Sequence, residues 1–230
     1  MLVLIIGDLH IPDRAGDLPA KFKRLLVSLS SFPYLSHIFL PSHLWFGSDR
    51  KIQQIICTGN VCDKETYEYL RSIAPAVNVV RGDCDENVHY PLSLTIPCPP
   101  SLRIGVLGGQ QVIPPGDHDA LAGLARGMDV DVLVTGGTHK FESFESEGRF
   151  FINPGSASGA WSGLRPGEKT VPSFALMDIQ GPQVVTYVYS LVGGEVKVEK
   201  VEYRKSIEEM TGGGGSINMS GLGIKSGGTW

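Results

Sequence analysis

Six short apolar runs, each closed by a glycine or a polar loop, set the limits on what this chain can fold into. They cover residues 2–6, 52–57, 77–80, 102–107, 130–135 and 150–152. Most are continuous and β-branched rather than alternating, the pattern of strands buried on both faces. Between them, apolar residues recur at helical spacing: Phe22, Leu25 and Leu26 in residues 19–26, Tyr67, Leu70 and Ile73 in 64–74, and Leu121, Leu124 and Ala125 in 118–128. From Ser173 the character changes. Residues 173–179, 184–192 and 195–203 read as alternating strands, punctuated by Gly181-Pro182 and Gly193-Gly194 as antiparallel hairpins. The expected class is α/β, a two-layer mixed β-sandwich flanked by helices.

Charge and cysteine usage exclude several roles. With 20 basic against 24 acidic residues the net charge is −4, so no polyanion-binding surface is expected and nucleic acid is not a partner. The start, Met1-Leu2-Val3-Leu4-Ile5-Ile6, has no basic region and runs straight into Gly7-Asp8; it reads as a first strand, not a signal peptide. No apolar run reaches the roughly 18–20 residues of a membrane span. Cys57, Cys62, Cys84 and Cys98 lack metal-finger spacing and are expected as reduced thiols.

Two segments stand outside the pattern. Residues 28–50 lengthen the link between the first helix and the second strand, and carry Phe32, Tyr34, Phe39, Trp45 and Phe46. An excursion of that length is expected at the surface. The end of the chain, 207–230, includes eight glycines in its last twenty residues and is expected to be disordered. That leaves one domain, 1–206, with an insert at 28–50.

Five polar loops follow five of the runs: Gly7-Asp8-Leu9-His10, Gly59-Asn60-Val61-Cys62-Asp63, Gly82-Asp83-Cys84-Asp85, Gly108-Gly109-Gln110 and Gly136-Gly137-Thr138-His139. In open α/β sheets, sites form outside the carboxyl ends of the strands. Asp8 and His10 supply an oxygen and an imidazole two residues apart. With oxygens from Asn60 and Asp83 and an imidazole from His139, this donor set suits Mn, Fe or Zn. Two such ions about 3.5–4 Å apart would clamp a phosphoryl group and generate hydroxide. Asp63 is placed to cap the helix that opens at Lys64, and Asp85 to play the same part within its own loop.

The order of these motifs resembles the calcineurin-like metallophosphoesterases. Longer collinear segments resemble one branch of them, the small phosphoesterase-fold subunits of retromer, the endosomal sorting coat. They are Gly7-Asp8-Leu9-His10-Ile11-Pro12, Leu18-Pro19-Ala20-Lys21-Phe22-Lys23, Cys57-Thr58-Gly59-Asn60, Val80-Arg81-Gly82-Asp83, Gln111-Val112-Ile113-Pro114, Gly137-Thr138-His139-Lys140-Phe141-Glu142, Ile152-Asn153-Pro154-Gly155-Ser156-Ala157 and Val184-Val185-Thr186-Tyr187-Val188-Tyr189. The resemblance spans 1–205 apart from the insert.

Against the hydrolytic pattern that the resemblance implies, this chain is incomplete. Asn60 stands where a bridging aspartate is expected, Cys84 where a catalytic histidine is expected, and Gly108 and Gly137 where histidine ligands are expected. A thiol is a poor proton donor to a leaving alkoxide. The resemblance therefore implies a degenerate site, vestigially Asp8, His10, Asn60, Asp83 and His139. No cofactor is required, Mn or Zn can bind weakly, and no residue is catalytic. It implies a non-catalytic scaffold that binds the large α-solenoid retromer subunit through Val112, Ile113 and Pro114. It also implies a second apolar patch of Leu2, Leu25, Leu176 and Tyr187 for regulatory proteins with apolar peptide motifs. The expected location is cytoplasmic, on endosomal membranes only through the coat. The alternative is a weak metal-dependent phosphodiesterase.

Overall fold

The computed structural model describes residues 1–31, 51–164 and 166–206. The aromatic excursion is described only up to residue 31, and the glycine-rich end lies outside the described residues. Eleven strands and three helices are described. They run β1 Leu2–Ile6, α1 Ala20–Ser31, β2 Gln54–Cys57, α2 Lys64–Ile73, β3 Ala76–Val79, β4 Ser93–Cys98 and β5 Leu102–Leu107. There follow α3 His118–Met128, β6 Val132–Val134, β7 Phe141–Ser146, β8 Arg149–Pro154, β9 Ser173–Gln180, β10 Gln183–Val192 and β11 Glu195–Arg204. Helix α1 continues to Ser31, so the first residues assigned to the insert are helical.

The strands form a six-stranded sheet, β11-β10-β9-β1-β2-β3, and a five-stranded sheet, β4-β5-β6-β8-β7. The alternation of side chains along each strand splits the core into three layers. From β1, Leu2, Leu4 and Ile6 pack with Phe22, Leu25 and Leu26 of α1 and Leu70 and Ile73 of α2. Val3 and Ile5, on the other face, meet Ile104, Val106, Val132, Val134, Phe150 and Ile152 of the second sheet. Leu133 and Phe151 leave that sheet on its far side, against Leu121, Ala122 and Ala125 of α3. The result is helix, sheet, sheet, helix, as the sequence leads one to expect. β1 is buried at every position, which is why its run is continuous.

Three departures have physical causes. β9 does not alternate: seven of its eight residues are buried, because it lies between β1 and β10. Its polar residues are satisfied there. Ser173 Oγ donates to the Pro154 carbonyl at 2.7 Å, and Asp178 accepts from Gln180 Nε2 at 2.6 Å. The strands β4 and β7 carry no continuous apolar run because they are the two edges of their sheet and half-exposed. Pro97 in β4 is tolerated on such an edge. Finally, Leu2, Leu25 and Leu176 of the second apolar patch are core residues at 1%, 8% and 0% exposure. Leu2 and Leu25 fill the layer between α1 and the first sheet, so of the four patch residues Tyr187 alone is even half-buried.

Candidate functional site

Three parallel strands in each sheet send their carboxyl ends to the same edge of the sandwich. These are β1, β2 and β3 in one, and β5, β6 and β8 in the other. Six loops therefore converge, five of them the polar loops read from sequence. The sixth, after β8, is a scaffold that sequence reasoning passed over. Ser156 Oγ donates to the Asp8 carbonyl at 2.7 Å and Ser158 Oγ to the Leu9 carbonyl at 2.5 Å. Ala157 N donates to the Gly7 carbonyl at 3.2 Å. The same strand-end rule would have found this loop at Asn153-Pro154-Gly155-Ser156.

Asp8, His10 and His139 form the centre. All three are buried, and their ligating atoms lie within 4.8 Å of one another. The Nε2 atoms of His10 and His139 are 3.1 Å apart. His139 Nδ1 is 2.8 Å from the Ala160 carbonyl, which can only accept, so Nδ1 carries a proton and Nε2 is the atom turned to the centre. His10 Nδ1 is left buried with no hydrogen-bond partner. Burial, then the neighbouring His139 and Arg14, lowers the His10 pKa to about 4, so the ring is neutral at pH 7. Burial raises the Asp8 pKa, opposed by His139 and by the Gly137 and Asn60 donors.

Four of the five expected ligand positions have left-handed backbone: Asp8 at φ 48°, His10 at 47°, Asn60 at 57° and His139 at 57°. This conformation costs a non-glycine residue about 1–2 kcal/mol, and it concentrates where geometry is held for function. It turns each side chain out of its strand toward the common centre.

The other expected ligands stand differently. Asn60 meets Asp8 through its amide nitrogen, Nδ2 donating to Asp8 Oδ1 at 3.2 Å, while its Oδ1 accepts from Cys84 N at 2.9 Å. Asp83 is exposed at the mouth, beside Gly108, Gln110 and His139, and is not part of the buried cluster. Gly137 gives only its N–H, to Asp8 Oδ2 at 2.8 Å. Cys84 is half-buried; burial, then Asp83, raises its thiol pKa, so it stays protonated. Its sulfur accepts from Arg14 Nη2 at 3.5 Å.

Asp63 caps α2 as expected. Asp85 departs from expectation, because it does more than serve its own loop. Its carboxylate accepts from Gly82 N at 2.8 Å, and also from Asn60 N at 2.7 Å, Val61 N at 2.8 Å and Cys62 N at 3.1 Å in the second loop. One buried carboxylate thus joins two loops.

At the mouth, the expected docking residues separate. Val112 is core, 2% exposed and packed with α3, whereas Ile113 is 83% exposed and Pro114 is exposed. Val112 N donates to the Gly109 carbonyl at 3.0 Å before Ile113, and Asp117 N to the Pro114 carbonyl at 3.1 Å after it, so the turn that presents Ile113 is tied on both sides. Trp161 and Leu164, 58% and 52% exposed, belong to the loop on the opposite rim.

The model of the calcineurin-like phosphoesterase superfamily domain matches residues 1–181. The vacuolar protein sorting-associated protein 29 of Schizosaccharomyces pombe is 44% identical over 207 residues, 89% of this chain and 99% of that protein. The crystal structure of Chaetomium thermophilum Vps29 is similar at TM-score 0.76 and 45% identity, covering 90% of this chain and 100% of that one. Wild-type Vps29 of Entamoeba histolytica complexed with Zn²⁺ is similar at TM-score 0.73 and 42% identity, covering 88% and 99%.

Proposed function

Since the chain belongs to the Vps29 family within the calcineurin-like phosphoesterases, we propose that it is the small, non-catalytic scaffold subunit of a retromer coat in vacuolar protein sorting. It docks on the large α-solenoid subunit through the rim of the degenerate site. The coat in turn brings it to the cytoplasmic face of endosomes. The observation that carries this reading is Ile113. A branched aliphatic side chain 83% exposed, on a turn whose neighbours are fixed, is a ready anchor. Because the turn is already ordered, little freedom is lost on binding. Trp161 and Leu164 extend the apolar rim across the mouth.

The chemistry at the same place supports a scaffold. Gly108 and Gly137 offer no side-chain ligand, Asn60 turns its nitrogen inward, and Cys84 is a protonated thiol where an acid would be wanted. Asp8, His10 and His139 fit one ion, which would be Mn²⁺ or Zn²⁺ held without being required for docking. When bound, such an ion would supply Lewis acidity, but among the described residues the position of the leaving-group acid is held by the Cys84 thiol, a poor proton donor.

Co-purification with the large retromer subunit tests the proposal. Ile113→Asp is expected to weaken binding by about 30-fold or more, the size of a 2 kcal/mol anchor. Undiminished binding sinks the proposed interface. The surviving buried triad favours one second reading, a residual phosphodiesterase. With excess Mn²⁺ and an aryl phosphodiester, the scaffold reading expects equal background rates from the natural chain and His10→Ala. Turnover that His10→Ala abolishes would favour the enzyme.

A further inference from the structure

We infer that this chain takes one divalent cation of the zinc class, not two, and that the ion fastens its two sheets together. The inference rests on reading Asp8, His10 and His139 as the surviving ligands. Two metal–nitrogen bonds of about 2.1 Å separate their nitrogens by about 3.0 Å at a right angle and about 3.4 Å at the tetrahedral angle. The His10 and His139 Nε2 atoms already stand 3.1 Å apart. The hydrogen bond from His139 Nδ1 to the Ala160 carbonyl fixes ring and tautomer, as outer partners of metal-bound histidines do. Among the described residues this is the one cluster of three metal-ligating side chains.

Among the described residues, the two loops that would complete a second site supply no side-chain ligand. Next to the triad, the fourth loop brings Gly108 and the fifth Gly137. Gln110 has turned its carboxamide away, Nε2 donating to the Arg81 carbonyl at 2.6 Å. A Cβ on Gly108 would lie 2.5 Å from that same carbonyl oxygen and overlap Gln110 Oε1. The space a ligand side chain would need is filled from within. Charge argues the same way. One carboxylate balances half the charge of one dication, and imidazole ligands add no negative charge. A second would stand a few ångströms from the first beside exposed Asp83, since the Asp85 carboxylate is taken up by four backbone N–H donors.

Two nitrogens and one carboxylate oxygen select borderline ions such as Zn²⁺, Co²⁺ or Fe²⁺ over Mg²⁺ and Ca²⁺. Asp8 and His10 follow β1 of the six-stranded sheet and His139 follows β6 of the five-stranded sheet. A shared ion would therefore clamp the sandwich at its open edge and stabilise the folded state by mass action.

The test is calorimetric titration of the metal-free full chain with ZnCl₂, with melting followed at each addition. One equivalent is expected, the melting temperature rising on the order of 5 °C with the first equivalent and no further. MgCl₂ should leave it unchanged. Cobalt loading keeps the result readable without a variant: the paramagnetic signal should grow linearly to one equivalent and stay that of an isolated ion. Two equivalents, a spin-coupled cobalt pair, or no zinc binding at millimolar concentration would each overturn the inference. None of these results bears on the Ile113 docking assay, so the one-ion reading and the scaffold reading fail separately.

Discussion

Asp85→Ala is expected to lower stability by about 3–5 kcal/mol, among the largest losses a single substitution can cause here. The carboxylate is 5% exposed and receives four backbone N–H donors from two loops. Its removal leaves those donors buried without an acceptor, and each unsatisfied group costs about 1–3 kcal/mol unless water reaches it. For a chain of this size the melting temperature should fall by about 10 °C. Asp85→Asn should recover part of the loss, since one oxygen remains while the new NH₂ faces a donor. Asp63→Ala is the comparison. That side chain caps α2 through Thr66 N alone, and its loss should cost about 1 kcal/mol. Equal effects of Asp63→Ala and Asp85→Ala in urea melts would show that the loop junction is not what Asp85 secures.

Gly59→Ala is expected to cost at least about 3 kcal/mol, from two sources that a paired substitution separates. Gly59 has φ 98°, which an L-residue adopts only with strain. A Cβ there would also overlap Gly82 N and lie 2.7 Å from the Val80 carbonyl oxygen, both backbone atoms that cannot rotate aside. Gly181 has φ 60° with nothing within 4 Å of an added Cβ. Gly181→Ala should therefore show only the conformational part, about 1–2 kcal/mol. Denaturant midpoints for the two variants measure the difference. If Gly59→Ala is no worse than Gly181→Ala, the close approach of the second and third loops is not a constraint on the fold.

These two positions show where sequence reading reached and where it stopped. Strand order follows from hydrophobic runs, so β1, β5 and β6 were legible, as was α3 from its 3.6-residue period. The edge strands β4 and β7 of the second sheet were not, because both are half-exposed and carry no continuous apolar run. In the site, Asp8, His10 and His139 were legible as donors at strand ends. What local pattern could not give was direction. Asn60 carries a plausible oxygen but turns it to Cys84 N, and Asp83 sits in a ligand loop yet points to the exposed mouth. Asp85 looked like a local cap and proved to be a junction, since its partners lie more than twenty residues away in sequence. Ile113 and Val112 are neighbours of like chemistry, and only the packing of Val112 against α3 tells anchor from core.

The two glycines at the missing ligand positions differ in a way that bears on how such a site is lost. At Gly137, φ is 86° and the nearest atom to an added Cβ is the Gly108 carbonyl oxygen at 3.3 Å. A side chain there would carry about the same left-handed cost that Asp8, His10, Asn60 and His139 still carry, roughly 1–2 kcal/mol. Glycine removes that cost, so the absence of a side chain at 137 is a gain for the fold and easily reversed. At Gly108 the Arg81 carbonyl stands 2.5 Å from where a Cβ would be, so a side chain returns only if the third loop moves. One step is an open door and the other a ratchet. A chain with a closed 108 position is held away from two-ion chemistry by backbone, even when imidazole is supplied again at 137.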